Sequence, residues 1–252
     1  MRKCLSLAIA CFFFLTGDAL AGWYHVENFT GTIGPYPIHF SLQTYASFGS
    51  GITVEGSYYY DTKDSPIPIY GTSNNGKLAL CEIANDKALN DIITVGSKTP
   101  VDATGCPFAL AMNNDGATGT WSKGSTQYPV ALKKVALLDD TDDGKIAGTV
   151  EIPFWAQTTR NMFLGVYAKY DDAICMGKML IVDKATKQTD QEVAFDTADC
   201  DAGMVMTPIY LNVQKEREKG TDLISVNFNE GRTGSSKDYA FNTTTNKYSL
   251  KK

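Results

Sequence analysis

The chain has 252 residues, 43% of them hydrophobic, and its 28 acidic residues outnumber its 23 lysines and arginines to give a formal net charge of -5. Basic residues cluster no further than short pairs such as Lys133-Lys134 and Lys251-Lys252. Binding to nucleic acid needs clustered lysine and arginine against the phosphates, so the composition excludes that class of partner. A mildly acidic surface suits a cationic partner, or serves solubility alone.

The first 22 residues have the three parts of a secretory signal peptide. Arg2 and Lys3 precede an apolar run over residues 5–15, and Ala19-Leu20-Ala21 forms a cleavage site before Gly22. An apolar run of about 11 residues is too short to cross a bilayer, which takes about 20. The sequence therefore predicts a signal peptide over residues 1–21 and a mature chain in the periplasm or outside the cell, with no transmembrane segment.

Apolar and polar residues alternate with a period of two from residue 23 to residue 138, and turn residues interrupt the alternation at short intervals. This pattern is typical of antiparallel strands. Two hairpin turns are predicted at Asn75-Gly76 and Asp115-Gly116, because both dipeptides tolerate positive φ. We expect an all-β protein whose first domain, residues 22–138, is an antiparallel meander of about eight strands, closed as a barrel or stacked as a sandwich.

The rest of the chain predicts a second β-rich domain over residues 139–252. Residues 85–104 interrupt the first domain and predict a loop with a short helix at 88–93. The polar segment 139–144 marks the boundary between the domains. Residues 214–221, QKEREKGT, are too charged and too few to be more than an exposed turn. The second-half strands are predicted at residues 146–155, 162–170, 174–182, 204–213, 223–228 and 239–250.

Four cysteines remain after removal of the signal peptide. Cys81 and Cys106 lie 25 residues apart, as do Cys175 and Cys200. Four cysteines allow three connectivities, and two local bridges, one in each half, are the simplest. Metal ligation is the alternative, but the chain has no C-x-x-C spacing, and its histidines lie far from the cysteines in sequence. Disulfide bonds fit an exported chain better.

The acidic segment that begins at Asp139 admits two interpretations. Calcium loops place carboxylates at positions one, three and five and a glycine at six. Counting from Asp139 puts Thr141 at three and Asp143 at five, followed by Gly144, so one ligand position lacks a carboxylate, and position twelve is Val150. A hairpin turn at Asp143-Gly144 explains the same residues and is favoured. Calcium stays as the alternative, and otherwise no cofactor is expected.

Five aromatic residues are candidates for a binding surface. On a strand, Tyr58 and Tyr60 share one face and Tyr59 takes the other. One face is expected in the core, and the other forms either a partly exposed aromatic ledge that binds sugar or protein, or a face covered by cross-strand aromatic packing. Trp121 and Trp155 admit the same two interpretations.

No catalytic set is evident in the sequence. His25 lies near the mature N-terminus, His39 is expected on a solvent-facing strand position, and no G-x-S-x-G elbow surrounds a serine. A hydrolase needs two carboxylates at a set separation in space, which sequence does not report. Carboxylates that could serve are Asp61, Asp64, Glu82, Glu151, Asp171 and Asp172.

Several strand motifs resemble a group of exported bacterial all-β proteins of uncharacterised function. The motifs are GTIGxYPI from residue 31, GSYYY at 56–60, PIPIYG at 66–71, LxLCE at 78–82 and TGTW at 118–121. The second half is similar to the tail of longer members. Domains of this kind look like those found alongside periplasmic lysozyme-inhibitor-like proteins. The resemblance implies export and β architecture, and it carries no catalytic residues.

Three hypotheses of different class follow. The first is a periplasmic, non-catalytic binding or inhibitory protein that acts on another envelope protein, such as a cell-wall hydrolase or a toxin. The second is an envelope structural or carbohydrate-binding module that binds cell-wall glycan through the aromatic residues. A carboxylate-based hydrolase is the third.

Overall fold

The fold is that of a computed structural model, which describes residues 25–48, 51–85, 87–89, 105–139, 145–147, 149–170, 173–198, 200–203, 208–218, 220–230 and 233–251. The predicted signal peptide lies outside these residues, as does most of the predicted helix at 88–93; residues 87–89 form one helical turn. Within the described part of the chain, no helix has the length and apolar character needed to cross a membrane.

The first half is a closed antiparallel barrel, which confirms the predicted eight-strand meander. Each strand pairs with its neighbour in sequence, and β1 also pairs with β8, which closes the sheet. A short ninth strand, β9, lies beyond the predicted boundary in sequence and pairs antiparallel with the end of β8. The strands are β1 (His25–Ile33), β2 (Tyr36–Phe48), β3 (Ile52–Tyr60), β4 (Ile67–Asn74), β5 (Lys77–Glu82), β6 (Phe108–Asn113), β7 (Gly116–Lys123), β8 (Thr126–Asp139) and β9 (Lys145–Ile146).

Alternation along the strands fills the barrel with side chains. Inward positions are apolar and buried, so the interior is a packed core. On β2, for example, Ile38, Phe40 and Leu42 point inward. The buried core residues are Phe29, Ile33, Ile38, Phe40, Leu42, Val54, Tyr58, Ile69, Leu78, Leu80, Phe108, Leu110, Ala117, Val130 and Leu132.

The two predicted hairpins form, but one turn differs in its residues. Asn75 and Gly76 both have positive φ and connect β4 to β5, as predicted. The second turn is Asn114-Asp115, because Asn113 pairs with Gly116 across the hairpin. Gly116 serves another purpose: a Cβ there would lie 2.0 Å from the carbonyl oxygen of Leu132. The glycine therefore allows β7 to approach β8 closely.

The second half consists of two four-stranded antiparallel sheets that share one hydrophobic cluster. Gln191 joins their edges, since its side chain donates to Tyr248 O and accepts from Tyr248 N, both at 2.8 Å. The strands are β10 (Val150–Gln157), β11 (Asn161–Tyr170), β12 (Ala173–Asp183), β13 (Thr189–Ala194), β14 (Val213–Glu218), β15 (Thr221–Glu230), β16 (Thr233–Asn242) and β17 (Lys247–Leu250), with a 3-10 turn at Ile209–Leu211.

Three second-half predictions are wrong. The strand expected at 204–213 is replaced, where described, by the 3-10 turn at Ile209–Leu211, whose side chains are all buried. The charged segment after it is strand β14, held by its ladder to β15 rather than by burial. The single strand expected at 239–250 is a hairpin of β16 and β17.

The two halves meet across a buried junction on the outer face of β2 and β3. Trp155 donates its indole N–H to Gly56 O at 2.8 Å, and Ser41 Oγ lies 3.0 Å from the hydroxyl of Tyr210. Ile209 N donates to Gln43 Oε1 at 2.8 Å. The hydrophobic cluster of the second half also includes Val26 and Leu138 of the barrel, so the barrel wall serves as part of the second core.

The structure pairs Cys81 with Cys106, and Cys175 with Cys200, as the spacing predicted. The first bridge ties β5 to the start of β6. The second ties β12 to residues 200–203, where Gly203 O accepts from Tyr167 and Asn212. Each bridge therefore lies within one half of the chain.

Candidate functional site

Aromatic residues cover one end of the barrel. Tyr36, at the start of β2, is 48% exposed and makes edge contacts with Tyr60 and Tyr128, with ring centroids 6.1 and 5.8 Å away. Trp121 stacks on Tyr128 at 6.2 Å, and Tyr58 lies beneath Tyr60 in the core. We call these five residues the barrel-end cluster. The strand alternation places their side chains there because they occupy inward positions near the strand ends.

One carboxylate is fixed inside the barrel-end cluster. Glu82 follows Leu78 and Leu80 on the inward face of β5, and its Oε1 accepts from the Tyr58 hydroxyl at 2.7 Å and from Trp121 Nε1 at 2.9 Å. Burial and then the hydrogen bond to Glu82 raise the pKa of Tyr58 far above its ordinary value. The phenol therefore stays protonated and keeps donating to the carboxylate at neutral pH.

The second carboxylate oxygen of Glu82 lies near an exposed lysine. Oε2 lies 3.7 Å from the Nζ of Lys123, whose side chain is 73% exposed. Because the lysine stays largely hydrated, we expect this ion pair to contribute about 0 to 1 kcal/mol, although Glu82 itself is partly buried. A cation from another molecule could replace Lys123 at little cost.

Glu82 also borders a groove between the barrel and the second half, with a volume of about 1010 Å³. We call it the junction groove. Its barrel wall includes Glu82, Lys123 and the Cys81–Cys106 bridge, and its second-half wall includes Gln157 and Lys215. The volume of the groove lies at the upper end of the range for ligand clefts, about 300 to 1,000 Å³, so a peptide or sugar segment can be accommodated.

The predicted aromatic residues fall into different surroundings. Tyr58 is buried in the barrel core, and Trp155 is 5% exposed in the junction, where it lines the junction groove. Tyr60 and Trp121 are half-buried in the barrel-end cluster. Tyr59 faces the opposite way, stacks on His39 at 5.0 Å and packs against the second half.

Tyr59 and His39 line a second, smaller cleft of about 250 Å³ that lies between the barrel wall and β10. His39 Nδ1 lies 2.9 Å from Asp61 Oδ1. The next outward residue on β2, Ser41, is instead hydrogen-bonded to Tyr210. The structure thus brings a histidine and a carboxylate together and directs the neighbouring hydroxyl elsewhere.

The candidate calcium segment is described only at its first residue. Asp139 Oδ2 lies 3.6 Å from His25 Nδ1, while Thr141 and Asp143 lie outside the described residues. Asp139 pairs with Lys145 across β8 and β9, so residues 140–144 connect two paired strands. In the part of the chain that the structure describes, no three histidine, cysteine or acidic side chains converge to hold a metal ion.

Lys184 lies behind the second-half wall of the junction groove and was not singled out in the sequence. Its Nζ donates to Gln157 Oε1 at 2.6 Å and to Thr158 O at 2.8 Å. Burial, followed by the charge of Lys215, lowers the pKa of Lys184 to about 8 from an ordinary value of 10.5. The fold thus holds a half-buried ammonium against two neutral acceptors.

We expect the free energy of unfolding to rise from pH 8 toward about pH 9. In that range the unfolded chain keeps the Lys184 proton that the folded chain releases, so higher pH favours the folded state. Above about pH 9 the trend reverses, because burial raises the pKa of several tyrosines in the folded state, Tyr210 among them, while the same tyrosines begin to ionise in the unfolded chain. Urea unfolding at several pH values measures this slope. Lys184→Gln should flatten it, and an equal slope in both proteins would contradict the assignment.

The chain was compared with protein-family models, curated proteins and solved structures, and none of them matches it.

Proposed function

We propose that this chain is an exported, non-catalytic binding protein that recognises a basic segment of another envelope protein at the barrel end. The observation that carries the proposal is the carboxylate of Glu82, which is fixed on one oxygen by Tyr58 and Trp121 and faces Lys123 with the other. Two disulfide bonds support export, because such bonds persist in oxidising compartments.

The surroundings of Glu82 are those of a binding hot spot. Tyrosine and tryptophan dominate such spots, and aromatic rings add attraction for a cation. The carboxylate is already held in place, so binding costs little ordering of its side chain. The net charge of -5 adds long-range attraction for a basic partner. A lysine or arginine of the partner would take the position of the Lys123 ammonium.

The test measures the affinity of the purified protein for lysozyme, a basic cell-wall hydrolase, and its effect on the lytic rate. Glu82→Gln should weaken binding about 10- to 100-fold, as expected for loss of one member of a partly buried charge pair. Glutamine keeps an oxygen for Tyr58 and Trp121, so the fold should survive. The matched control is Glu192→Gln, which removes an exposed charge paired with Lys178 and should change affinity less than about twofold.

Lys123→Ala gives a signature that a folding defect would not produce. Because Lys123 competes for Glu82, its removal should raise affinity for the basic partner about two- to fivefold. Equal weakening by Glu82→Gln and Glu192→Gln would contradict the assigned site. Retention on peptidoglycan without binding to lysozyme would favour the glycan-binding alternative, with Tyr36 and Trp121 as the ring faces.

A further inference from the structure

Three lysines gather near the second-half wall of the junction groove, opposite Glu82. Lys187 is neutralised, since its Nζ lies 3.3 Å from Asp64 Oδ2. Lys215 lines the groove and is exposed. Among the described residues, neither Lys215 nor Lys184 has a carboxylate within ion-pair distance. The carboxylate of Asp64, already paired with Lys187, is the described anion that acts on Lys184, so three neighbouring lysines share one compensating charge.

Gln157 connects Lys184 to the groove. Its Oε1 accepts from Lys184, and its Nε2 donates to Pro66 O of the barrel at 2.6 Å. Both ends of the amide are occupied, so Gln157 is fixed in the groove wall with the Lys184 ammonium directly behind it. A ligand group at this wall would contact Lys215 directly. Only the Gln157 side chain would separate it from the Lys184 ammonium, so it would also interact electrostatically with that charge.

We propose that the groove wall formed by Lys215 and Gln157, backed by Lys184, binds a singly charged oxyanion such as a carboxylate of the ligand. An anion here would offset both the repulsion between the two lysines and the cost of partly burying Lys184. This inference rests on the proposed function for its assignment of the groove. With Glu82 on the facing wall, the groove would take a zwitterionic peptide segment, its ammonium toward Glu82 and its carboxylate toward Lys215.

The experiment follows the titration of each lysine by NMR of protein labelled with ¹³C at lysine Cε. Sodium acetate is compared with sodium chloride at equal ionic strength, and sodium phosphate forms a further arm. Acetate should raise the pKa of Lys184 by about 0.5, because a neighbouring anion favours the charged ammonium. Lys178, already paired with Glu192, should not respond. A larger response to phosphate than to acetate would overturn the choice of a singly charged group.

Lys215→Gln distinguishes binding of acetate at the groove wall from a general effect of salt on lysine titration. The variant should raise the pKa of Lys184 in chloride, since it removes the repelling charge, and should abolish the further rise in acetate. Equal responses at Lys178 and Lys184, or none at either, would overturn the proposal. The measurement uses no basic partner, so it tests the anion site separately from the proposed function. The anion site can be absent while Glu82→Gln still weakens binding to lysozyme. Conversely, Lys184 can respond to acetate while Glu82→Gln leaves lysozyme binding unchanged.

A dipeptide tests the zwitterionic ligand itself. Alanyl-lysine carries one carboxylate and two ammonium groups, its α-ammonium and that of the lysine side chain, so it should shift the Lys184 resonance at lower concentration than acetate does. Glu82→Gln should remove that advantage and leave the response to acetate unchanged. An advantage that persists in Glu82→Gln would show that the two walls do not act on one ligand.

Discussion

Replacing Trp155 with alanine should lower the free energy of unfolding by about 3 to 5 kcal/mol. Trp155 is 5% exposed, donates to Gly56 O and stacks on Tyr210 with ring centroids 5.7 Å apart. The substitution leaves a cavity where the second half meets the barrel and removes a donor from a buried carbonyl. Unfolding in guanidinium chloride, followed by circular dichroism, measures the loss.

Trp155→Phe is the matched control, because it keeps a ring against Tyr210 and removes the indole donor. It should cost about 1 to 3 kcal/mol, the usual penalty for a buried acceptor that loses its partner. Trp121→Ala, at the half-buried barrel end, should cost less than Trp155→Ala. An unfolding midpoint for Trp155→Ala equal to that of the wild type would mean that the junction does not contribute to stability.

The barrel could be predicted from the sequence because each of its hairpins is local. Alternating residues fix which side of a strand faces the core, and Asn75-Gly76 fixes a two-residue turn. Closure of the barrel could not be predicted in this way, because it depends on pairing between strands that are far apart in sequence, such as that of Phe29 in β1 with Lys134 in β8. No local pattern reports that pairing, and so barrel and sandwich stayed open.

The second half was harder to predict because its strands do not alternate clearly. In β14 only Val213 is buried; Gln214 is half-buried, and residues 215–218 are exposed and charged. This strand is held by its backbone ladder to β15, which residue types do not reveal. Strand β13, polar throughout most of its length, was missed for the same reason; there Gln191 links the two sheets.

The candidate site could be predicted only in part. Tyr58, Tyr60 and Trp121 were named as aromatic candidates, and Glu82 as one of several carboxylates. Their convergence requires β3, β5 and β7 to curve around one core, which is a property of the closed barrel. One signal was present: Glu82 continues the inward register of Leu78 and Leu80, and a carboxylate at such a position needs hydrogen-bond donors.

Removing the Cys175–Cys200 bridge by double alanine substitution should lower the free energy of unfolding by more than about 3.5 kcal/mol. A closed loop of 25 residues gives about 3.5 kcal/mol on the chain-entropy model. Packing adds to this, because Cys175 is fully buried in β12, next to Met176, whose backbone donates to Ala202 O, and a shorter side chain there leaves a void. Urea unfolding of the oxidised wild type and the variant measures the difference.

The Cys81–Cys106 bridge provides the matched control, since it closes a loop of the same 25 residues. Its chain-entropy contribution should therefore be equal, while both of its cysteines are only partly buried. We expect Cys81→Ala/Cys106→Ala to cost about 3.5 kcal/mol, less than the loss in the second half. The excess measures the packing of Cys175 alone, because loop length cancels in the comparison. Equal losses in the two variants would mean that burial of Cys175 adds nothing to stability. If the wild type unfolds at the same urea concentration before and after reduction, neither bridge stabilises the fold.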